Sequence, residues 1–142
     1  MENYNEKLNF EEIYKDSAHF QEMARIGNVG NFIISVFSDE DPTPHFHFMN
    51  TQTGEQGSIK ILDCEYFKHG KYQAELNSGE RKELQAFLSE QTKDEIFKEG
   101  TTNFKVICHE WNKNNECDSK LPWKVKWDQT CLVNGLGMKL IY

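Results

Sequence analysis

Phe32-Ile33-Ile34-Ser35-Val36-Phe37 is apolar on both faces and rich in β-branched residues, the pattern of a strand buried on both sides. The polar stretch Ser38-Asp39-Glu40-Asp41-Pro42 turns the chain after it. Residues 45–49 read as a second strand led in by Pro44, which fits only at a strand's start or edge. A second turn covers 50–57, and Ser58-Ile59-Lys60-Ile61 then alternates cleanly with Ile59 and Ile61 inward. Three strands joined by short turns predict an antiparallel meander.

Helical spacing appears on either side of this unit. Phe10, Ile13, Tyr14 and Ser17 predict a first helix over 10–25, broken by Gly27-Asn28-Val29-Gly30-Asn31, with residues 1–9 polar and loosely held. Asn77-x-x-Glu80 resembles a capping box, and Leu84, Phe87 and Leu88 form an apolar stripe behind it. Thr92-x-x-Glu95 offers another helix start and Gly100 a stop. Phe104, Ile107, Cys108 and Trp111 fit a helix face, yet Val106, Ile107 and the flanking aromatics also suit a strand. Residues 123–142 read as a C-terminal β-hairpin extension. Trp123, Val125 and Trp127 share one face, Asn134-Gly135 is a favoured hairpin turn, and 138–142 form the last strand. The expected fold is a single α+β domain over 1–142: an antiparallel sheet of about five strands with two or three helices on one face.

Composition narrows the partners. The chain has 142 residues, enough for one domain with a sizeable core, and its ten Phe, five Tyr and three Trp predict that this core is aromatic-rich. A net charge of −7 argues against nonspecific nucleic-acid binding and suits a basic protein partner; a homodimer is kept as a separate option. No apolar run approaches a membrane span, and the N-terminus lacks signal-peptide features. Cys64, Cys108, Cys117 and Cys131 form no Cys-x-x-Cys pair, so they read as reduced thiols of a cytoplasmic protein.

The one hint of chemistry is Pro44-His45-Phe46-His47-Phe48-Met49. On a strand, His45 and His47 would share one face, about 7 Å apart along the chain, with Phe46 and Phe48 on the other. Such a pair can grip a divalent metal, a phosphate or a carboxylate. A closed metal site needs a further ligand; Asp39, Glu40, Asp41, His69, Cys108 and His109 qualify by type, and spacing selects none of them. The plainer alternative has both imidazoles facing solvent or hydrogen-bonded across the sheet. Asp39 and Asp41 abut the pair and join it as candidate binding residues of a pH-responsive or anion-binding edge. Two known enzyme motifs fail: the cupin Glu position holds Thr51 or Gln52, and Met49 stands where a histidine-triad hydrolase has its third histidine. Cys108-His109-Glu110 places adjacent side chains in different directions, so Cys108 reads as a buried structural thiol. Trp123 and Trp127, interleaved with Lys124 and Lys126, allow a base-stacking strand but fit Trp inward and Lys outward.

Residues 29–122 resemble a small bacterial domain of unknown function with a Pro-Pro-His-x-His signature, often encoded beside toxin–antitoxin genes. The resemblance rests on Pro44-His45-Phe46-His47, with Thr43 in place of the first proline, and on Thr102-Asn103-Phe104…Trp111-Asn112-Lys113-Asn114-Asn115. It favours the helical reading of 104–111 and departs from the chain at Trp123. It implies a bacterial cytoplasmic protein of a toxin–antitoxin or defence-type locus, with no settled activity. The acidic charge and the lack of a catalytic constellation lead to the expectation of a non-enzymatic binding component that acts through a protein partner, without a cofactor. The alternatives are a metal- or histidine-dependent enzyme using His45 and His47 on a phosphate or small molecule, and a nucleic-acid-binding module built on residues 123–127.

Overall fold

The computed structural model describes residues 23–37, 43–114, 126–128 and 139–141. Four strands, β1 (Met23–Val29), β2 (Phe32–Phe37), β3 (His45–Asn50) and β4 (Gln56–Lys60), form one antiparallel sheet in that order. Two helices follow, α1 (Ser78–Ser89) and α2 (Asn103–Asn114). A separate antiparallel pair, β5 (Lys126–Asp128) and β6 (Lys139–Ile141), aligns Trp127 with Leu140. The class is α+β as expected. The main sheet, however, holds four strands, and the C-terminal strands pair with each other instead of extending it.

The meander follows local chemistry. Asn50 ends β3 and its side-chain oxygen accepts from the backbone N–H of Gln52 (2.8 Å) and Thr53 (3.2 Å). This Asx turn brings the Glu55 carbonyl back to the Asn50 N–H at 2.8 Å and sets the register Met49↔Gln56. The expected helix over 10–25 fails in its described part, because Met23, Ala24 and Arg25 lie in β1 and pair with Phe37, Val36 and Ser35. A tight turn at Gly30-Asn31 folds β1 onto β2, and the ladder to β2 overrides local helix propensity. The rest of that expected helix, 10–22, and residues 1–9 fall outside the described residues.

One sheet face carries the main core. Ile34, Val36, Phe46, Phe48 and Ile59 pack there against Leu84 and Leu88 of α1 and Phe104, Ile107 and Trp111 of α2. Complete burial of each large apolar side chain contributes roughly 1.5–3 kcal/mol. The aromatic-rich core is borne out by Phe37, Phe46, Phe48, Phe104 and Trp111. α1 starts at the expected capping box, with Asn77 Oδ1 accepting from the Glu80 N–H and Glu80 Oε1 accepting from the Asn77 N–H, both at 2.8 Å. The ambiguous stretch 104–111 is helical. Thr102 Oγ1 accepts from the Lys105 N–H at 3.2 Å, and Asn103 donates from its side chain to Phe87 O and from its backbone to Glu90 O, each at 2.8 Å. These two bonds satisfy carbonyls at the C-terminal end of α1 and tie the helices together.

No helix starts at Thr92. Its hydroxyl accepts from Asp94 N–H and Asp94 Oδ1 accepts from Ile96 N–H, two local turns that compete with helix formation. Beyond β4 the chain makes a tight turn at Cys64, fully buried with φ of 57°, a left-handed backbone unusual for a residue with a side chain. No helix among the described residues is long and apolar enough to cross a membrane.

Candidate functional site

The second sheet face is buried as well, and it holds the histidines. Ile33, Phe37 and Met49 pack there with Tyr72. His45 and His47 are 0% and 1% exposed, on the face opposite Phe46 and Phe48. The expected strand alternation is therefore correct, while the alternative of solvent-facing imidazoles is overturned. Ser35 of β2 and Ser58 of β4 pair with His47 from either side.

A segment after β4 brings a third imidazole. Residue 66 bridges Ile59 in antiparallel fashion, and Phe67 N–H donates to Ser58 O at 2.9 Å. The chain then reverses through His69-Gly70-Lys71-Tyr72, where Gly70 takes the positive φ (51°) that the turn requires. Tyr72 bridges Gln56, and Ala74 N–H donates to Gln56 O at 2.9 Å. The segment thus lies along β4 and turns His69 and Tyr72 onto the histidine face. Ring centres stand 4.8 Å apart for His45–His47, 5.4 Å for His45–His69 and 6.1 Å for His47–His69. Aromatic rings wall the cluster: Phe67 stacks on His69 (4.3 Å), Tyr72 and Phe37 stand edge-on to His47 (4.4 and 4.7 Å), and Trp111 reaches His45 from α2 (5.4 Å).

Two of the imidazoles are pinned through the same atom. His45 Nδ1 bonds the Thr43 carbonyl at 2.6 Å, and His69 Nδ1 bonds the Phe67 carbonyl at 2.8 Å. A carbonyl only accepts, so both Nδ1 atoms carry the proton and Nε2 is the basic nitrogen of each neutral ring. The Phe67 carbonyl also accepts from Ser58 Oγ at 2.7 Å, which ties His69 to β4. Ser35 Oγ and His69 Nε2 are buried polar atoms with no hydrogen bond; His45 Nε2 and His47 Nδ1 are buried likewise and make none themselves, while both residues have further interactions. Four such atoms on one sheet face mark it as polar in an otherwise apolar interior.

Of the residues available as a third ligand, the structure places His69 with the pair. Cys108 is buried in the helix-side core, and burial pushes its thiol up to about 12, with Lys105 and a backbone hydrogen bond acting in the opposite direction. It is a structural thiol, as expected. His109 is exposed on α2 with its ring 5.3 Å from Phe97. Asp39, Glu40 and Asp41 lie outside the described residues, as do Trp123, Lys124 and Val125 of the expected stacking strand. Sequence reasoning did not find Phe37, Phe67, Tyr72, Trp111 or Ser35 as neighbours of the pair. Ser35 alone gave a signal, as the polar residue within β2. A surface groove of about 250 Å³ between Ile26–Asn28 and the stretch 87–94 contains none of these residues. Comparison with protein-family models, with curated proteins and with solved structures finds no match for this chain.

Proposed function

We propose that this protein is a binding component rather than an enzyme, and that its ligand site is the cluster of His45, His47 and His69. The observation that carries this reading is the burial of His45 and His47 at 0% and 1% exposure. A general acid or base exchanges protons with substrate, within hydrogen-bond reach of a reacting group. Imidazoles sealed between a sheet and a covering segment are poorly placed for that turnover, whereas a ligand held as part of the fold needs no open cleft. The test is native mass spectrometry of the full, untagged chain purified without chelator, set against its denatured mass. The expected result is an excess native mass in the wild type that is absent from His45→Ala and His69→Phe. Equal native and denatured masses, or phosphate-ester hydrolysis abolished by His47→Gln, would overturn the reading.

The net charge of −7 favours a second reading, in which the same chain pairs with a basic protein partner. A bacterial toxin–antitoxin or defence-type locus would supply such a partner, and the family resemblance points the same way. Salt-sensitive co-purification of the untagged chain with one basic protein from its own cells tests this; recovery of the chain alone at low salt removes it.

A further inference from the structure

We infer that the groove beside β1 docks an extended segment of a basic protein partner. The segment pairs with the outer edge of β1 at Asn28 and seats a lysine or arginine side chain among Glu90, Asp94 and the Asn103 amide oxygen. The inference rests on reading the chain as the acidic half of a protein pair and goes further by locating the surface. The histidine face offers no rival site for a metal cation, because no three His, Cys, Asp or Glu side chains among the described residues are disposed to hold an ion.

The edge is set by the hairpin. β1 ends the strand order, and among the described residues nothing pairs with its outer side. The two-residue turn Gly30-Asn31 makes Val29 and Phe32 the hydrogen-bonded pair that closes the hairpin. Bonding alternates along the ladder, so Asn28, opposite Ile33, sends its backbone N–H and carbonyl away from β2. Asn28 is exposed and lines the groove. An unpaired edge of this kind is a template for an added strand, with main-chain bonds supplying affinity and one pocket supplying selectivity.

The pocket asks for a cation. Asn103 is 6% exposed and lines the groove. Its backbone N–H and Nδ2 donate to Glu90 O and Phe87 O, whereas its Oδ1 accepts from no described residue. The carboxylates of Glu90 and Asp94 stand on the same rim without an ion pair among the described residues. α1 ends here with no basic residue in its last turn, so the negative end of its dipole adds to theirs. Phe87 gives an apolar floor for a methylene stem, and Gly27 keeps that floor uncovered, since a Cβ there would stand 2.9 Å from the ring. At about 250 Å³ the groove is smaller than the roughly 300–1,000 Å³ of a small-molecule pocket and suits a single side chain. Lys93, exposed on the same rim, opposes the incoming charge and so provides a test of its sign.

The experiment is titration of the ¹⁵N-labelled full chain at low salt with the peptide acetyl-Thr-Val-Lys-Val-Thr-amide, followed by amide chemical shifts. The expected result is saturable shifts at the Asn28 backbone amide and the Asn103 side-chain amide, absent when glutamate replaces the peptide's lysine. Glu90→Gln combined with Asp94→Asn, both surface changes, should weaken binding about 5-fold, and Lys93→Glu should tighten it about 3-fold. Asn28→Pro removes the outward N–H without taking a bond from the ladder, and should weaken binding by a similar factor in protein shown to be folded by circular dichroism. Absence of saturable shifts, equal binding of the lysine and glutamate peptides, or contacts from the Asn28 amide to residues 1–22 of the same chain would overturn the inference. So would a concentration-dependent dimer abolished by Asn28→Pro, which assigns the edge to a second copy. Co-purification of a basic partner that is unchanged by Glu90→Gln with Asp94→Asn sinks this placement and leaves the pairing standing; no basic partner together with no peptide binding sinks both.

Discussion

Gly57 lies in β4 directly across from Phe48 of β3, and the ring of Phe48 covers it. A Cβ built there would also stand 2.6 Å from the Ala74 carbonyl oxygen, well inside any real carbon–oxygen contact. That oxygen has little freedom, because Ala74 N–H is bonded to Gln56 O at 2.9 Å. Gly57→Ala therefore has to displace either a core ring or the backbone of the segment that carries His69 and Tyr72. Overpacking of this kind costs typically about 1–3 kcal/mol. Relief of glycine's chain entropy in a strand returns about 0.5–1 kcal/mol. With a backbone atom in the way the larger cost applies, and the net loss is about 2 kcal/mol. For a chain of 142 residues this lowers Tm by about 4–8 °C. Thermal unfolding followed by circular dichroism reads it directly. The control is Gly79→Ala in the first turn of α1, where a Cβ meets only Asn77 Oδ1 at an ordinary 3.5 Å; stability there should rise by up to about 1 kcal/mol. The double variant Phe48→Leu with Gly57→Ala should not recover the loss, since the Ala74 carbonyl stays in place. An unchanged or higher Tm for Gly57→Ala would refute the close approach of segment and strand, and with it the placement of His69.

Two further outcomes follow from the interior. Ser35 Oγ is buried without a hydrogen bond, so Ser35→Ala should raise stability by about 1 kcal/mol in urea titrations; a fall of more than about 1 kcal/mol would show that the hydroxyl has a partner in the native protein. Burial raises the Cys108 thiol from 9.0 to about 12, so between those values the unfolded chain loses this proton while the folded chain keeps it. Its contribution to stability is complete below pH 9 and is lost as pH rises toward 12. Alkaline denaturation should accordingly be shallower in Cys108→Ala, and Cys108 in the native chain at pH 8 should resist thiol-specific reagents; rapid labelling without unfolding would contradict this.

The legible parts of the fold are those whose signals are local. The alternation of 45–49, the capping box at Asn77 and the stripe of Leu84 and Leu88 each involve residues a few positions apart, and each appears as read. β1 was not legible, because Met23–Val29 owes its state to a ladder with β2 that forms only once the turn at Gly30-Asn31 closes. Thr92 looked like a helix start because an N-cap and a short turn use the same hydroxyl as acceptor; only the donor's distance along the chain separates them. At the site, the shared face of His45 and His47 follows from strand geometry. The choice of His69 over His109 or Cys108 does not, since it depends on bridges from β4 to residues 66 and 72 that have no counterpart in spacing.

Cys64 carries a consequence for how this chain can vary. Its backbone, at φ of 57°, favours glycine or asparagine, while its fully buried side chain, with the thiol 3.7 Å from Ile61 O, favours a small apolar residue. Glycine would relax the backbone and leave a void under the turn. Asparagine would suit the backbone but bury an amide, and alanine or valine would fill space yet keep the strain. Two opposed demands at one position leave very few acceptable residues, and cysteine is the compromise that is small, apolar and able to donate weakly. Drift at this turn is therefore expected to be narrow at Cys64 even though the residues around it, Leu62, Asp63 and Glu65, are exposed.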